Sequence, residues 1–193
     1  MKIITTYISI PLLLTTLVLS NNVSAEAKPY AGLSFGQSKV NDFCDEFTGV
    51  SCDDSDTALK VFGGAKLNKN FALEASYIDL GEAIVTDDID TFTAEVTGLN
   101  LSAVGIIPAS DSVDIFGKVG LLLWDLKLAL SGTFNDSISE DGTDISFGFG
   151  ANFNVNETFA IRAEFEKFNS IGKESTTGES SVTLLSLGAV FKF

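Results

Sequence analysis

The residue types that do most protein chemistry are sparse in this sequence. It contains no histidine, which removes His-activated nucleophiles, His-ligated zinc and most proton transfer near neutral pH. Gly32-Leu33-Ser34-Phe35-Gly36 spells the G-x-S-x-G of a hydrolase elbow. That elbow needs a strand-to-helix turn and a histidine base, and neither is present in the pattern here. Gly148-Phe149-Gly150 lacks the third glycine and the helix of a dinucleotide site. Asp88-Ile89-Asp90 opens like a calcium loop, but Phe92 and Thr93 stand where the next ligand and the glycine belong. No cofactor and no metal are expected.

Two sets of residues survive this filter. Cys44 and Cys52 are the only cysteines, and in an exported chain a close pair favours a disulfide over a metal. Chain-entropy arithmetic for so short a loop gives about 2.5 kcal/mol of stabilisation. The second set is Lys60, Lys66, Glu74, Asp114, Lys118, Arg162 and Glu164, charged residues embedded in otherwise apolar or small-residue segments. Isolated charges in such surroundings must find partners.

The elements that position them show a period of two. Residues 159–166 set Phe159, Ile161, Ala163 and Phe165 against Arg162, Glu164 and Glu166. Residues 145–153 set Ile145, Phe147, Phe149, Ala151 and Phe153 against Ser146, Gly148, Gly150 and Asn152. Such alternation is the strand signal. It recurs in segments near 30–38, 58–67, 71–80, 95–107, 113–124, 144–154, 159–168 and 182–193. The connections alternate long (39–57, 81–94, 125–143, 169–181) and short (68–70, 109–112, 155–158). An even strand number with alternating loop lengths predicts an all-β fold, an eight-stranded antiparallel up-and-down transmembrane β-barrel.

Charge and export fit that prediction. Residues 1–25 form an expected signal peptide, with Lys2, an apolar stretch and Val23-Ser24-Ala25 as a cleavage site; residues 26–193 form the barrel domain. The mean hydropathy is +0.28, too apolar for a disordered acidic tail. The net charge of −14 repels nucleic acid. Acidic residues concentrate in the long connections and strand ends, among them Asp42, Asp45, Glu46, Asp53, Asp87, Asp88, Glu140, Asp144, Glu166 and Glu174. One face of each strand is dense in Leu, Ile, Val and Phe, the other mostly in Gly and Ser. A tight polar lumen within a lipid-facing wall explains this better than a water-soluble barrel does.

A series of motifs runs along the chain: Gly63-Gly64 with Leu67-Asn68, Phe71 to Tyr77 with Glu74, and Asp114-Ile115 with Lys118, Gly120 and Trp124. It continues through Arg162 and Glu164, Ile171-Gly172 and the closing Leu185-Ser186-Leu187-Gly188 with Lys192-Phe193. Their order and spacing give the chain a resemblance to the OmpA-like family of small outer-membrane barrels. It implies a Gram-negative outer membrane, periplasmic termini and external long loops. It also implies that Phe191 and Phe193 form the signal read by the outer-membrane assembly machinery. Two departures stand out. The sequence stops at Phe193, so a periplasmic peptidoglycan-binding domain is expected to be absent. Where some relatives place a second luminal Lys–Glu pair, this chain has Val104 and Asn152.

The expected function is a non-enzymatic structural or surface-interaction role, in contact with outer-membrane lipid and lipopolysaccharide. Its acidic loops would face an extracellular ligand or a host surface, with loose divalent-ion bridging as one use of them. The alternatives are a narrow channel through the luminal network (Glu74, Arg162, Lys118, Glu164, Lys60, Asp114) and, more distantly, a carboxylate-dependent envelope enzyme.

Overall fold

Among the described residues nine strands follow one another: β1 Lys28–Val40, β2 Ser51–Asp53, β3 Ser55–Lys66, β4 Phe71–Thr86, β5 Thr91–Pro108, β6 Val113–Ser131, β7 Asp136–Asn154, β8 Phe159–Lys173 and β9 Gly178–Lys192. The computed structural model describes residues 27–193 except 42, 45–50, 87–89, 133–135 and 174–177. The expected signal peptide therefore lies outside the described residues, as do Asp42, Asp45, Glu46, Asp87, Asp88 and Glu174. Every consecutive long pair is antiparallel, and β1 pairs with β9 to close the ring. Eight strands thus make a barrel, and β2 is a short addition laid on the tip of β4. Closure leaves no sheet edge inside the wall, as lipid demands.

Outward positions explain why this ring suits a membrane. Leu33, Phe35, Leu73, Leu101, Leu121, Phe149, Ile161 and Leu187 are all exposed on the outer surface. On β6 the belt spans residues 115–123, close to the roughly 9–11 residues needed per transmembrane strand. Above it the outward residues turn polar in one hydrogen-bonded row, Asp79–Thr97–Asp125–Asp141. Beyond that row β6 runs six residues further, to Ser131, so its tip stands about 15 Å above the membrane at ordinary rise and tilt.

Two sequence expectations are corrected here. The connections at 81–94, 125–143 and 169–181 are largely strand, because β4 to β9 continue past the ends that alternation marks. In sequence, strand β4 stops at Leu80 because its alternation breaks there. A bulge between Asp79 and Glu82 resets the parity, with Gly81 at φ 75° and its N–H bonded to Asp79 Oδ1 at 3.0 Å. Ile78 and Leu80 below the bulge, and Ala83 and Val85 above it, then all face inward and are buried. A second bulge between Phe168 and Ile171 does the same for β8.

The lumen is also less uniformly polar than expected. Ile78, Leu122, Trp124, Phe168 and Leu184 form an apolar layer towards the loops. Tyr30, Phe62, Val104, Phe116 and Val190 form another towards the short turns.

Candidate functional site: the luminal charge cluster

Among the described residues, six buried charged side chains lie between the two apolar layers. Lys60 enters from β3, Glu74 from β4, Lys118 from β6, and Arg162, Glu164 and Glu166 from alternate positions of β8. Three cations face three carboxylates, so the cluster is neutral.

Lys118 Nζ sits 2.7 Å from Glu164 Oε1 and 2.6 Å from Glu166 Oε1, and 3.5 Å from Glu74 Oε1. The Lys60 ammonium donates to both Glu164 and Glu166. Arg162 Nη1 donates to Glu74 Oε2 at 2.7 Å, which also accepts from the Tyr30 hydroxyl at 2.9 Å. Arg162 Nε donates to Asn152 Oδ1 at 2.9 Å. The guanidinium also lies over the rings of Phe62 and Phe116, 4.5 and 4.8 Å from their centroids, a favourable cation–π geometry.

Glycines make these reaches possible. Across the sheet, Lys118 pairs with Gly148 and Gly148 with Glu166. A Cβ on Gly148 would stand 2.9 Å from Lys118 Cε; its absence lets the lysine stem lie flat and reach the glutamate one strand further on. Tyr30–Gly64–Glu74 repeats the device, since a Cβ on Gly64 would stand 2.6 Å from the Tyr30 hydroxyl.

Of the sequence-derived candidates, Glu74, Arg162, Lys118, Glu164 and Lys60 meet in this cluster. Asp114 does not join it. It pairs instead with Lys66 at 3.4 Å near the short turns, where both remain partly accessible. The sequence reading missed Glu166 as a site residue and counted it with the acidic strand ends. Its parity with Arg162 and Glu164 was the available signal, and in the structure it is fully buried. Asn152, one of the two uncharged departures, turns out to hold the arginine; Val104, the other, packs in the lower apolar layer.

Elsewhere, Cys44 and Cys52 are joined in a disulfide, Cα–Cα 5.8 Å. Phe191 and Phe193 are exposed at the turn end, and Phe193 N–H donates to Pro29 O at 3.1 Å. Among the described residues no group of three or more His, Cys, Asp or Glu is placed to hold a metal.

A buried cluster of this kind joins four walls of the barrel, at the third, second, fifth and seventh barrel strands. The family of OmpA-like transmembrane domains matches this sequence over residues 24–193. The chain belongs to that family. Among curated relatives, outer membrane protein A of Klebsiella pneumoniae is 29% identical over 174 residues, covering 85% of this chain and 50% of the relative. Outer membrane protein A of Salmonella typhi is 27% identical over 172 residues, covering 85% and 48%. This OmpA-like chain thus spans about half the length of the curated relatives it matches. Solved barrels share its fold. Neisserial surface protein A has a TM-score of 0.64 at 16% identity, covering 86% of this chain and 97% of that one. Ail of Yersinia pestis, solved with the heparin analogue sucrose octasulfate, has a TM-score of 0.59 at 18% identity, covering 87% and 99%. The protein is an outer-membrane OmpA-like barrel.

Proposed function

We propose that this barrel is a non-enzymatic surface-interaction protein whose lumen is a plug rather than a path. The observation that carries the reading is the upper edge of β7. Strand β7 pairs with β6 along its length, but with β8 only over residues 146–154. The tip of the β6–β7 hairpin therefore stands above the lipid with one side outside the closed ring. Its outward positions carry Asp125 and Asp141 against Lys127, and Asp136 is exposed at the end of β7. Such an edge suits an extended partner that adds a strand, and its charge favours a basic one.

The heparin analogue held by Ail is a polyanion, and the acidic hairpin here argues for the opposite preference. A plug supports the same reading against a channel: Lys60, Glu164 and Glu166 are closed in by apolar layers above and below. On this proposal the signal peptide is cleaved after Ala25, and Phe193 with Phe191 is read by the assembly machinery.

The test uses protein reconstituted in lipid vesicles, titrated against polylysine and against heparin. Binding to polylysine that weakens with salt and drops in an Asp125→Asn, Asp136→Asn, Asp141→Asn variant supports the reading. A preference for heparin, or steady single-channel conductance in a planar bilayer, overturns it.

A further inference from the structure

Above the apolar layer the lumen opens into a chamber towards the loops. Its wall combines Val96 and Leu126, Ala94 and Leu128, which are cross-strand pairs on β5 and β6. The two bulges complete it, because each resets strand parity so that Ala83 and Ile171 also point inward. Without those bulges the same strands would turn these side chains out. Phe43 closes one side, and the neighbouring Cys44 is tied by the disulfide to Cys52, whose strand is paired to the tip of β4.

The chamber measures about 80 Å³, several times the ~10–15 Å³ that one water occupies on the same measure. Among its described lining side chains only Ser180 carries a polar group. Those side chains offer water fewer than the two to four polar partners that buried water requires. The floor of Ile78, Leu122 and Phe168 is packed, and the charge cluster lies beneath it, so an occupant enters from the loop side and stops. A strand or helix of another protein is far too wide for the space.

We propose that this chamber is a binding site for a small uncharged apolar molecule, with Phe43, positioned through the disulfide, as its wall. The site is independent of the acidic hairpin. It needs neither polylysine binding nor a closed lumen, and those can fail while it stands.

The experiment is a bromobenzene titration of the full barrel in lipid nanodiscs, read by methyl NMR. Inward methyls of Leu126, Leu128 and Ile171 report the chamber, whereas outward methyls of Leu121, Leu123 and Leu185 report bromobenzene dissolved in the surrounding lipid. The expected result is saturable shifts at the inward methyls and unsaturable ones at the outward methyls. Phe43→Ala should weaken the saturable binding roughly three- to tenfold, the range an aromatic contact is worth. Ala94→Phe, which fills the chamber, should abolish it. A heat-modifiable gel band checks that each variant is folded; should Ala94→Phe fail that check, the Phe43→Ala shift in affinity decides. Inward methyls that do not move, that move without saturating, or that saturate unchanged in the folded variants overturn the proposal.

Discussion

Removing the Glu74 carboxylate is the sharpest test of the luminal cluster, because two donors and a further cation converge on it. Arg162 lies at 2.7 Å, the Tyr30 hydroxyl at 2.9 Å and Lys118 at 3.5 Å. Stripping one partner from a buried ion pair typically costs about 3–5 kcal/mol. After Glu74→Ala, Arg162 keeps Asn152 and the faces of Phe62 and Phe116, and Lys118 keeps Glu164 and Glu166. Those remaining contacts place the expected loss at the low end, about 3 kcal/mol. Arg162→Ala should cost a similar amount, since it leaves Glu74 with Tyr30 and Lys118 only. The double variant removes both members of the pair together, so it should lose less than the sum of the single losses. A coupling of about 1–3 kcal/mol is expected for groups in direct contact. The assay is reversible urea unfolding of barrels refolded into lipid vesicles, for all four proteins. Additive losses would show that Glu74 and Arg162 contribute independently, and the account of the lumen as one interlocked cluster would fail at its central pair.

Other expectations follow from single observations. Gly148→Val puts a side chain where the Lys118 stem lies; it should destabilise the same refolded barrel by about 1–3 kcal/mol, whereas Gly63→Val, whose nearest neighbour is 3.8 Å from an added Cβ, should be tolerated. Native protein should bind no thiol reagent until reduced, because Cys44 and Cys52 are bonded to each other. Cys44→Ala should still give a folded, heat-modifiable barrel, since the bridge lies outside the eight-stranded ring. Lys60→Met leaves Glu164 and Glu166 with Lys118 as their shared lysine and should destabilise the refolded barrel by about 3 kcal/mol, since it strips a partner from two buried carboxylates; an unfolding midpoint equal to the parent's would contradict that.

Alternation of side chains was legible in the sequence because a strand's period of two is local and needs no knowledge of neighbours. It therefore set the strand number, the lipid face and the inward position of Glu74, Lys118, Arg162 and Glu164. It equally contained Glu166, whose place on the same face as Arg162 was readable and was overridden by its nearness to an acidic loop. Strand ends were not legible. The alternation breaks after Leu80 and after Phe168, and only pairing with the neighbouring strands shows that a bulge resumes it rather than a loop ending it. Partner choice was not legible either. Lys60 and Glu164 are 104 residues apart, and whether Asp114 meets the central cluster or Lys66 depends on the height at which each strand crosses the lumen. That height is fixed by strand register around the closed ring. Parity thus belongs to each segment alone, while stagger and closure belong to all eight strands at once, and the charge cluster and the apolar chamber exist only at that second level.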